Sequence, residues 1–381
     1  MNTLPKGECL AISVGASNIG ACTCTIEAAA TSGFTVSDTV RVSWAEVSSE
    51  PAERRGVSAF SLLLRRMIDQ GICQPRAIAN VSIAGAGTPE GSHLRLDKYP
   101  EKGLDFSLIL PQVGIHPQQL RIMNDAVGEA LAYQTLGSHE ERVLYEGRGD
   151  AVQKLMLMRL GTGAGVAVQR ILPNQCIVIS PSEGGNLPAA VWDSGMWRSV
   201  WSDFVRWACH KMTKTGFPGL NIRELEIEGL TSGPIIEPRL ENFTASLGLI
   251  LLGIWASEVF GIAIRYSSPQ EVEHYMLSRK DRYEMLREAY SGAIGFHLRC
   301  LAMMACPDKV VLGGVPSRAP RLLIEKELVS AFQDAPLSVH QEMLQKCTLS
   351  LLSAEADSTL CLKGAAYALV AEELGKQVFI V

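Results

Sequence analysis

The chain has 381 residues, 47% of them apolar and 20% charged, with a formal net charge of −5. That composition is too apolar for a disordered chain, and the length fits two packed domains. Its 35 basic and 40 acidic side chains are interspersed without a long run of either sign, which excludes the electrostatic footprint of a nucleic-acid or anionic-membrane binder.

In chain order, Cys9 to Val14 reads as a strand. A turn at GASNIG follows, and Ala21 to Ile26 resumes the alternation, which together make a hairpin. Phe34 to Trp44 alternates as a third strand; SSEPAERRG breaks the pattern before Phe60, Leu63, Leu64, Met67 and Ile68 fall at helical spacing. Ile78 to Ala84 is the next strand. A Gly- and Pro-rich loop follows, with room for a short helix before the strand Leu120 to Met123 and the helical AVGEALAYQTLG. From Leu155 a second unit opens with LMLMRL, the turn GTGAG, then VAVQR and CIVIS, repeating the β-β-β start. Helices over Trp197 to Met212, Phe243 to Val259 and Asp281 to Met304 precede a late strand, Lys309 to Leu312, that runs into GGV. No flexible linker parts the halves, so two domains are expected to pack around a cleft.

The uncharged run from Cys9 to Ile26 is 18 residues long, but Ser, Thr, Asn and Gly interrupt it, so it does not read as a membrane span. MNTLPKGECL has no export or transit pattern, and the ten cysteines form neither paired CxxC ligands nor a dense secreted framework. A cytoplasmic protein with reduced, mostly buried thiols is expected. None of the seven histidines forms HExxH; His210, beside Cys209, is expected to be packed or solvated. Trp197, Trp201, Phe204 and Trp207 lie at helical spacing and read as core or as a subunit interface, the latter giving a homodimer.

Glycine occupies 34 of 381 positions, about 9% against a usual figure of about 7%. Part of the surplus stands at strand ends: Gly15 in SVGASN, Gly161, Gly163 and Gly165 in GTGAG, and Gly313 with Gly314 in LGGV. Such turns let a backbone approach a ligand and aim its amides at phosphate oxygens, although a hairpin needs glycine for its own geometry. None is a Walker A loop or a Rossmann GxGxxG between strand and helix. Asp125 follows a strand beside Asn124; there a carboxylate can take a proton from a substrate hydroxyl, or can simply cap the next helix. Glu183 in SEGGN and Glu228 before SGP are further carboxylates among glycines, and each also reads as a solvated surface group.

In order and spacing these motifs resemble the bacterial-type glucokinases of the sugar kinase, actin and Hsp70 superfamily, from about Cys9 to Leu369. SVGASN, GTGAG, MNDAV, SEGGN, the stretch Glu228 to Pro234 and GGV match that family's DVGGTN, GTGLG, ND, EGGH, ExxxSGPG and adenosine-side GG in turn. The resemblance implies a two-domain actin/hexokinase-like (ribonuclease H-like) α/β fold of duplicated β-β-β-α-β-α units. Residues 1–123 plus 362–381 would form the smaller domain and 124–361 the larger. It implies ATP-dependent phosphorylation of a hexose, glucose first among them, with ATP and Mg²⁺ as cofactors and no protein ligand assigned to the metal. By similarity, Asp125 is the catalytic base. Asn124, Glu183, Asn186 and Glu228 hold the sugar, and Ser13, Gly15, Ser17, Asn18, Gly161, Thr162, Gly163, Gly165, Gly313 and Gly314 hold the nucleotide.

Four residues depart from the family pattern. Ser13 and Ser17 replace an aspartate and a threonine in the first motif, Asn186 replaces a sugar-contacting histidine, and Ile235 replaces the last glycine of SGPG. Serine cannot supply the negative charge that favours a phosphate-bound cation, so the alternative is a sugar- or nucleotide-binding homologue impaired in phosphoryl transfer. No zinc-binding cysteine cluster of the related repressor and kinase group follows SEGGN, which favours the glucokinase branch and no structural zinc.

Overall fold

A computed structural model describes residues 8–15, 18–26, 34–96, 103–149, 151–161, 163–182, 184, 196–214, 239, 241–259, 269–278, 280–371 and 374–381. The chain divides into two compact units, 1–137 with 169–181 and 358–381, and 138–168 with 182–357.

Strands β1 (Glu8–Val14) and β2 (Asn18–Ile26) form the expected antiparallel hairpin, with Val14 opposite Ile19. The single strand expected over 34–44 is instead two, β3 (Phe34–Val36) and β4 (Val40–Ser43), both paired with β2. The break has a local cause. Ser37 exchanges hydrogen bonds with Thr23, its N–H donating to the Thr23 carbonyl and its Oγ accepting from the Thr23 N–H, each at 2.9 Å. The helix expected around Phe60 to Ile68 starts earlier, because α1 (Ala52–Asp69) begins directly after Pro51. Strand β5 (Ile78–Gly85) is buried throughout. The Gly- and Pro-rich stretch after it is not simply a loop: β6 (Thr88–Glu90), β7 (His93–Arg95) and β8 (Leu104–Asp105) make a small antiparallel sheet, followed by the short helix α2 (Phe106–Gln112). Then come β9 (Gln119–Asn124) and α3 (Asp125–Ala132).

The sheet order of this unit is β3-β2-β1-β5-β9, with β1, β5 and β9 mutually parallel. Alternate residues of β1 (Leu10, Ile12, Val14) meet Phe60, Leu63 and Met67 of α1 and Val81 and Ile83 of β5 in one core. Phe60 packs edge-on against Phe106 of α2 at 5.3 Å.

In the second unit, β10 (Glu141–Tyr145), β11 (Lys154–Leu160) and β12 (Ala164–Ile171, whose last residues belong to the first unit) are followed by β13 (Ile177–Ser182). The helices are α4 (Met196–Lys214), α5 (Glu241–Thr244), α6 (Ser246–Val259), α7 (Pro269–Ser278) and α8 (Lys280–Ala305). Strand β14 (Lys309–Gly314) leads into α9 (Val315–Arg318), α10 (Glu325–Gln333), α11 (Ser338–Lys346) and β15 (Thr348–Leu352). The order is β10-β15-β14-β11-β12, with β11, β14 and β15 parallel. The expected duplication is thus visible in strand direction: each hairpin-led strand runs parallel to two later ones.

Trp201 and Phe204 are fully buried in this unit's core, with ring centroids 5.3 Å apart, and Phe204 also meets Phe243 at 5.9 Å and Trp255 at 5.7 Å. The aromatic stripe is therefore core at these two positions. The side chains of Trp197, Cys209 and His210 lie outside the described residues.

The chain closes with α12 (Ala354–Val370) and β16 (Val378–Ile380). In the first unit β16 pairs in parallel with β13, and α12 crosses α3 at Gly364 and Gly128. A Cβ on Gly364 would stand 1.6 Å from the Gly128 carbonyl oxygen, so the backbones touch and only glycine fits. Cys9, Cys22, Cys24, Cys73, Cys176 and Cys347 are buried and stand outside any disulfide. Among the described residues no helix is long and apolar enough to cross a membrane.

Candidate active site

The first unit carries the N-terminal hairpin turn and the Asn124–Asp125 junction. Gly15 closes its turn by donating its N–H to the Asn18 carbonyl at 2.8 Å, and the indole Nε1 of Trp44 donates to the Gly15 carbonyl at 2.9 Å. Ser13, two residues earlier on β1, is half-buried and faces Gly20 in the β1–β2 register. A Cβ at Gly20 would come within 3.2 Å of the Ser13 Oγ, so the missing side chain leaves the hydroxyl its space.

Asn124 ends β9, opposite Gly85 in the parallel pairing with β5. Its Oδ1 accepts the Ala126 N–H at 2.9 Å as the cap of α3, and its Nδ2 donates to the Gly87 carbonyl at 3.1 Å. The capping role that Asp125 could have filled therefore falls first to Asn124. Asp125 is the first residue of the helix, half-buried, and one of its oxygens shares the Ala126 N–H at 2.9 Å. A carboxylate on the first turn sits at the positive end of the helix. The Gly87 carbonyl is held in turn by the loop between β5 and β6, where the Ala86 N–H donates to the Val14 carbonyl of β1 at 2.9 Å. Sequence reasoning passed over this support because Ala86 and Gly87 read as an ordinary turn.

In the second unit the GTGAG turn joins β11 to β12. Gly161 donates its N–H to the Gly163 carbonyl at 2.8 Å, while its own carbonyl accepts both the N–H (2.9 Å) and the Oγ (2.7 Å) of Ser246, the first residue of α6. Glu241 of α5 accepts the Ala164 N–H at 3.1 Å. α5 is anchored from below by Tyr290, whose hydroxyl donates to the Thr244 carbonyl at 2.8 Å; burial raises the pKa of that hydroxyl and keeps it a donor. Among the described residues, a Cβ on Gly161 would meet only the Gly163 oxygen, at 3.9 Å, so the turn is open to them at its first glycine.

Gly313 and Gly314 end β14. Gly314 has φ +84°, and a Cβ there would stand 2.2 Å from the Leu160 carbonyl oxygen, so this left-handed turn requires glycine. Beneath it lies Asp357, on the first turn of α12, its side chain wholly buried. Asp357 Oδ1 accepts the Gly314 N–H at 2.6 Å and Arg159 Nε at 3.0 Å, and Oδ2 lies 3.6 Å from Arg318 Nε. Arg159 is on β11, in register with Gly313 and two residues before Gly161. Asp357, Arg159, Arg318, Glu241 and Ser246 were not singled out from the sequence. Helix-forming or charged residues far apart in the chain carry no local motif.

Of the expected site residues, Ser17, Thr162, Glu183, Asn186 and Glu228 lie outside the described residues. Asn124 and Asp125 stand together in the first unit, as Ser13, Gly15 and Asn18 do at its hairpin. In the second unit the turn of Gly161, Gly163 and Gly165 and the turn of Gly313 and Gly314 end the neighbouring strands β11 and β14. No three of His, Cys, Asp or Glu come together as a metal group among the described residues.

A family model described as Glucokinase matches residues 53–204, a segment that holds Asn124, Asp125, GTGAG and SEGGN. No curated protein matches the sequence. The structure is similar to that of a glucokinase from an Antarctic psychrotroph, with TM-score 0.66 and 17% identity over 95% of this chain and 98% of that one. It is similar to a glucokinase from Balamuthia mandrillaris in complex with glucose, with TM-score 0.68 and 14% identity over 97% and 95%. A ROK family glucokinase from Streptomyces griseus, in complex with glucose and AMPPNP, aligns with TM-score 0.55 and 14% identity over 95% and 99%. At these identities the likeness is one of fold. Residues 53–204 thus match the glucokinase family model, and the structure has the α/β fold of the solved glucokinases and ROK sugar kinases.

Proposed function

We propose that the chain is an ATP-dependent hexose kinase, with glucose as the first substrate to test and Asp125 as the general base. The observation that carries this reading is the division of labour at the β9–α3 junction. Asn124 takes the helix cap and ties itself to Gly87, and this places Asp125 beside it on the first turn, where its carboxylate also accepts the Ala126 N–H. In this role Asp125 accepts the proton of the sugar hydroxyl as that oxygen attacks the terminal phosphoryl group.

ATP with magnesium, when bound, supplies that phosphoryl group and part of the charge neutralisation. Gly161, Thr162, Gly163 and Gly165 would hold its phosphates, with Gly313 and Gly314 on the adenosine side. Asn124, Glu183, Asn186 and Glu228 would hydrogen-bond the remaining sugar hydroxyls, and an unpaired polar group in such a ring penalises the wrong sugar. An amide at Asn186 offers both donors and an acceptor, so this ring need not lose its grip on sugar.

A second reading, a sugar- or nucleotide-binding homologue impaired in transfer, rests on Ser13, which brings no charge to the first phosphate motif. A coupled assay with glucose, ATP and magnesium, beside Asp125→Ala and Ser13→Asp, separates the two. The kinase reading expects wild-type turnover that falls about 10² to 10⁴-fold in Asp125→Ala. Wild-type inactivity with calorimetric sugar binding intact selects the second reading. A gain of about 10²-fold in Ser13→Asp would then identify the missing charge as the deficiency.

A further inference from the structure

The second unit carries a groove of about 550 Å³ whose described lining residues include none of those assigned to sugar or nucleotide. Three guanidinium groups line it: Arg142 on β10, Arg287 on α8 and Arg321 in the connection between α9 and α10. Among the described lining residues a single carboxylate, Glu325 at the start of α10, stands with them, and it is committed to Arg142 in an ion pair. Arg287 Nη2 donates to the Arg321 carbonyl at 2.6 Å, but its Nε is buried with no hydrogen-bond partner among the described residues. The backbone N–H of Arg321 donates to Glu273 at 2.9 Å, which fixes that segment against α7. Leu277 and Leu323 supply an apolar wall.

Three cations against one carboxylate give the described lining residues a net charge of +2. Guanidinium forks match the oxygens of a phosphate, and the volume lies within the range of small-molecule sites. We propose that this groove is a second anion site that binds a phosphate monoester, its phosphate between Arg287 and Arg321 and its organic part against Leu277 and Leu323.

The test is calorimetric titration of the full chain with inorganic phosphate, glucose 6-phosphate and AMP, in wild type, Arg321→Met and Arg287→Met/Arg321→Met. Saturable binding of at least one of the three is expected, weakened tenfold or more in Arg321→Met and further in the double variant. Arg321→Lys should retain part of the affinity. Tighter binding of glucose 6-phosphate or of AMP than of phosphate identifies the organic part as sugar or nucleoside. Arg321 is exposed, so the single variant decides the matter even if the double variant fails to fold. Absence of saturable binding, or equal affinity in Arg321→Met, overturns the proposal. So does a matching loss of affinity for a non-hydrolysable ATP analogue in Arg321→Met, because the groove would then be an arm of the nucleotide site.

Discussion

The backbone N–H of Gly314 donates to Asp357 Oδ1 at 2.6 Å, so a turn that only glycine can make is fixed by a wholly buried carboxylate. The same carboxylate holds Arg159, and through it the strand that runs into the Gly161 turn. Two glycine turns proposed to grip opposite ends of one nucleotide thereby share a single buried charge. A buried carboxylate is tolerated only when it is paired and hydrogen-bonded, and here two guanidiniums and an amide meet that need.

Asp357→Ala removes the acceptor for the Gly314 N–H and strands two arginines. Because Arg159 and Arg318 can still reach water, their side chains being 25% and 38% exposed, the expected loss of stability is about 2–4 kcal/mol, read by urea unfolding. Asp357→Asn keeps an acceptor oxygen and should lose less. Affinity for an ATP analogue should fall in both variants while affinity for glucose stays. Equal loss of both affinities would mean that the residue serves the fold alone.

Ser246→Ala tests the support of the GTGAG turn at lower structural cost. The Gly161 carbonyl loses the hydroxyl at 2.7 Å but keeps the Ser246 N–H at 2.9 Å, so stability should change by about 1 kcal/mol or less. The KM for ATP should rise several-fold with the KM for sugar unchanged. An unchanged KM for ATP would show that the backbone bond alone is enough.

Sequence pattern revealed the scaffold wherever periodicity and turn chemistry were local: the β1–β2 hairpin, β5, β9, the turn after Leu160 and the strand-to-helix junction at Asn124. It was silent where structure depends on distant partners. Strands β6 to β8 are two or three residues long, too short for any alternation to register. Asp357 lies 198 residues from Arg159, and in SAEADS it reads as an acidic first turn and nothing more. Asn124 was legible as a polar residue beside Asp125, but its dual bond to Ala126 and Gly87 depends on where the β5–β6 loop folds back.

The crossing of α3 and α12 predicts a coupling between packing and the proposed base. Gly364→Ala would place a methyl 1.6 Å from the Gly128 carbonyl oxygen, and the helices can relieve this only by parting. Overpacking of this kind costs about 1–3 kcal/mol, occasionally more. Because α3 begins with Asp125, the displacement should also lower kcat by more than the folded fraction accounts for. Activity that tracks only the folded fraction would show that α3 keeps its start in place.

His297 sets the acid limit of stability. It is buried in α8, and desolvation lowers its pKa to about 3, whereas in the unfolded chain the group titrates near 6.5. Between those values the unfolded chain binds a proton that the folded chain refuses. The stability associated with neutral His297 is therefore complete above about pH 6.5 and is lost progressively as pH falls through that window. One such group contributes about 2 kcal/mol of lost stability between pH 7 and pH 5. Urea unfolding at a series of pH values should show this slope in wild type and a slope shallower by that amount in His297→Leu, whatever the variant's absolute stability. Parallel slopes would assign the acid sensitivity to carboxylates instead, such as Asp105, whose pKa is lowered in the folded chain by the hydroxyl and N–H of Ser107 and by His93, against the raising effect of its partial desolvation.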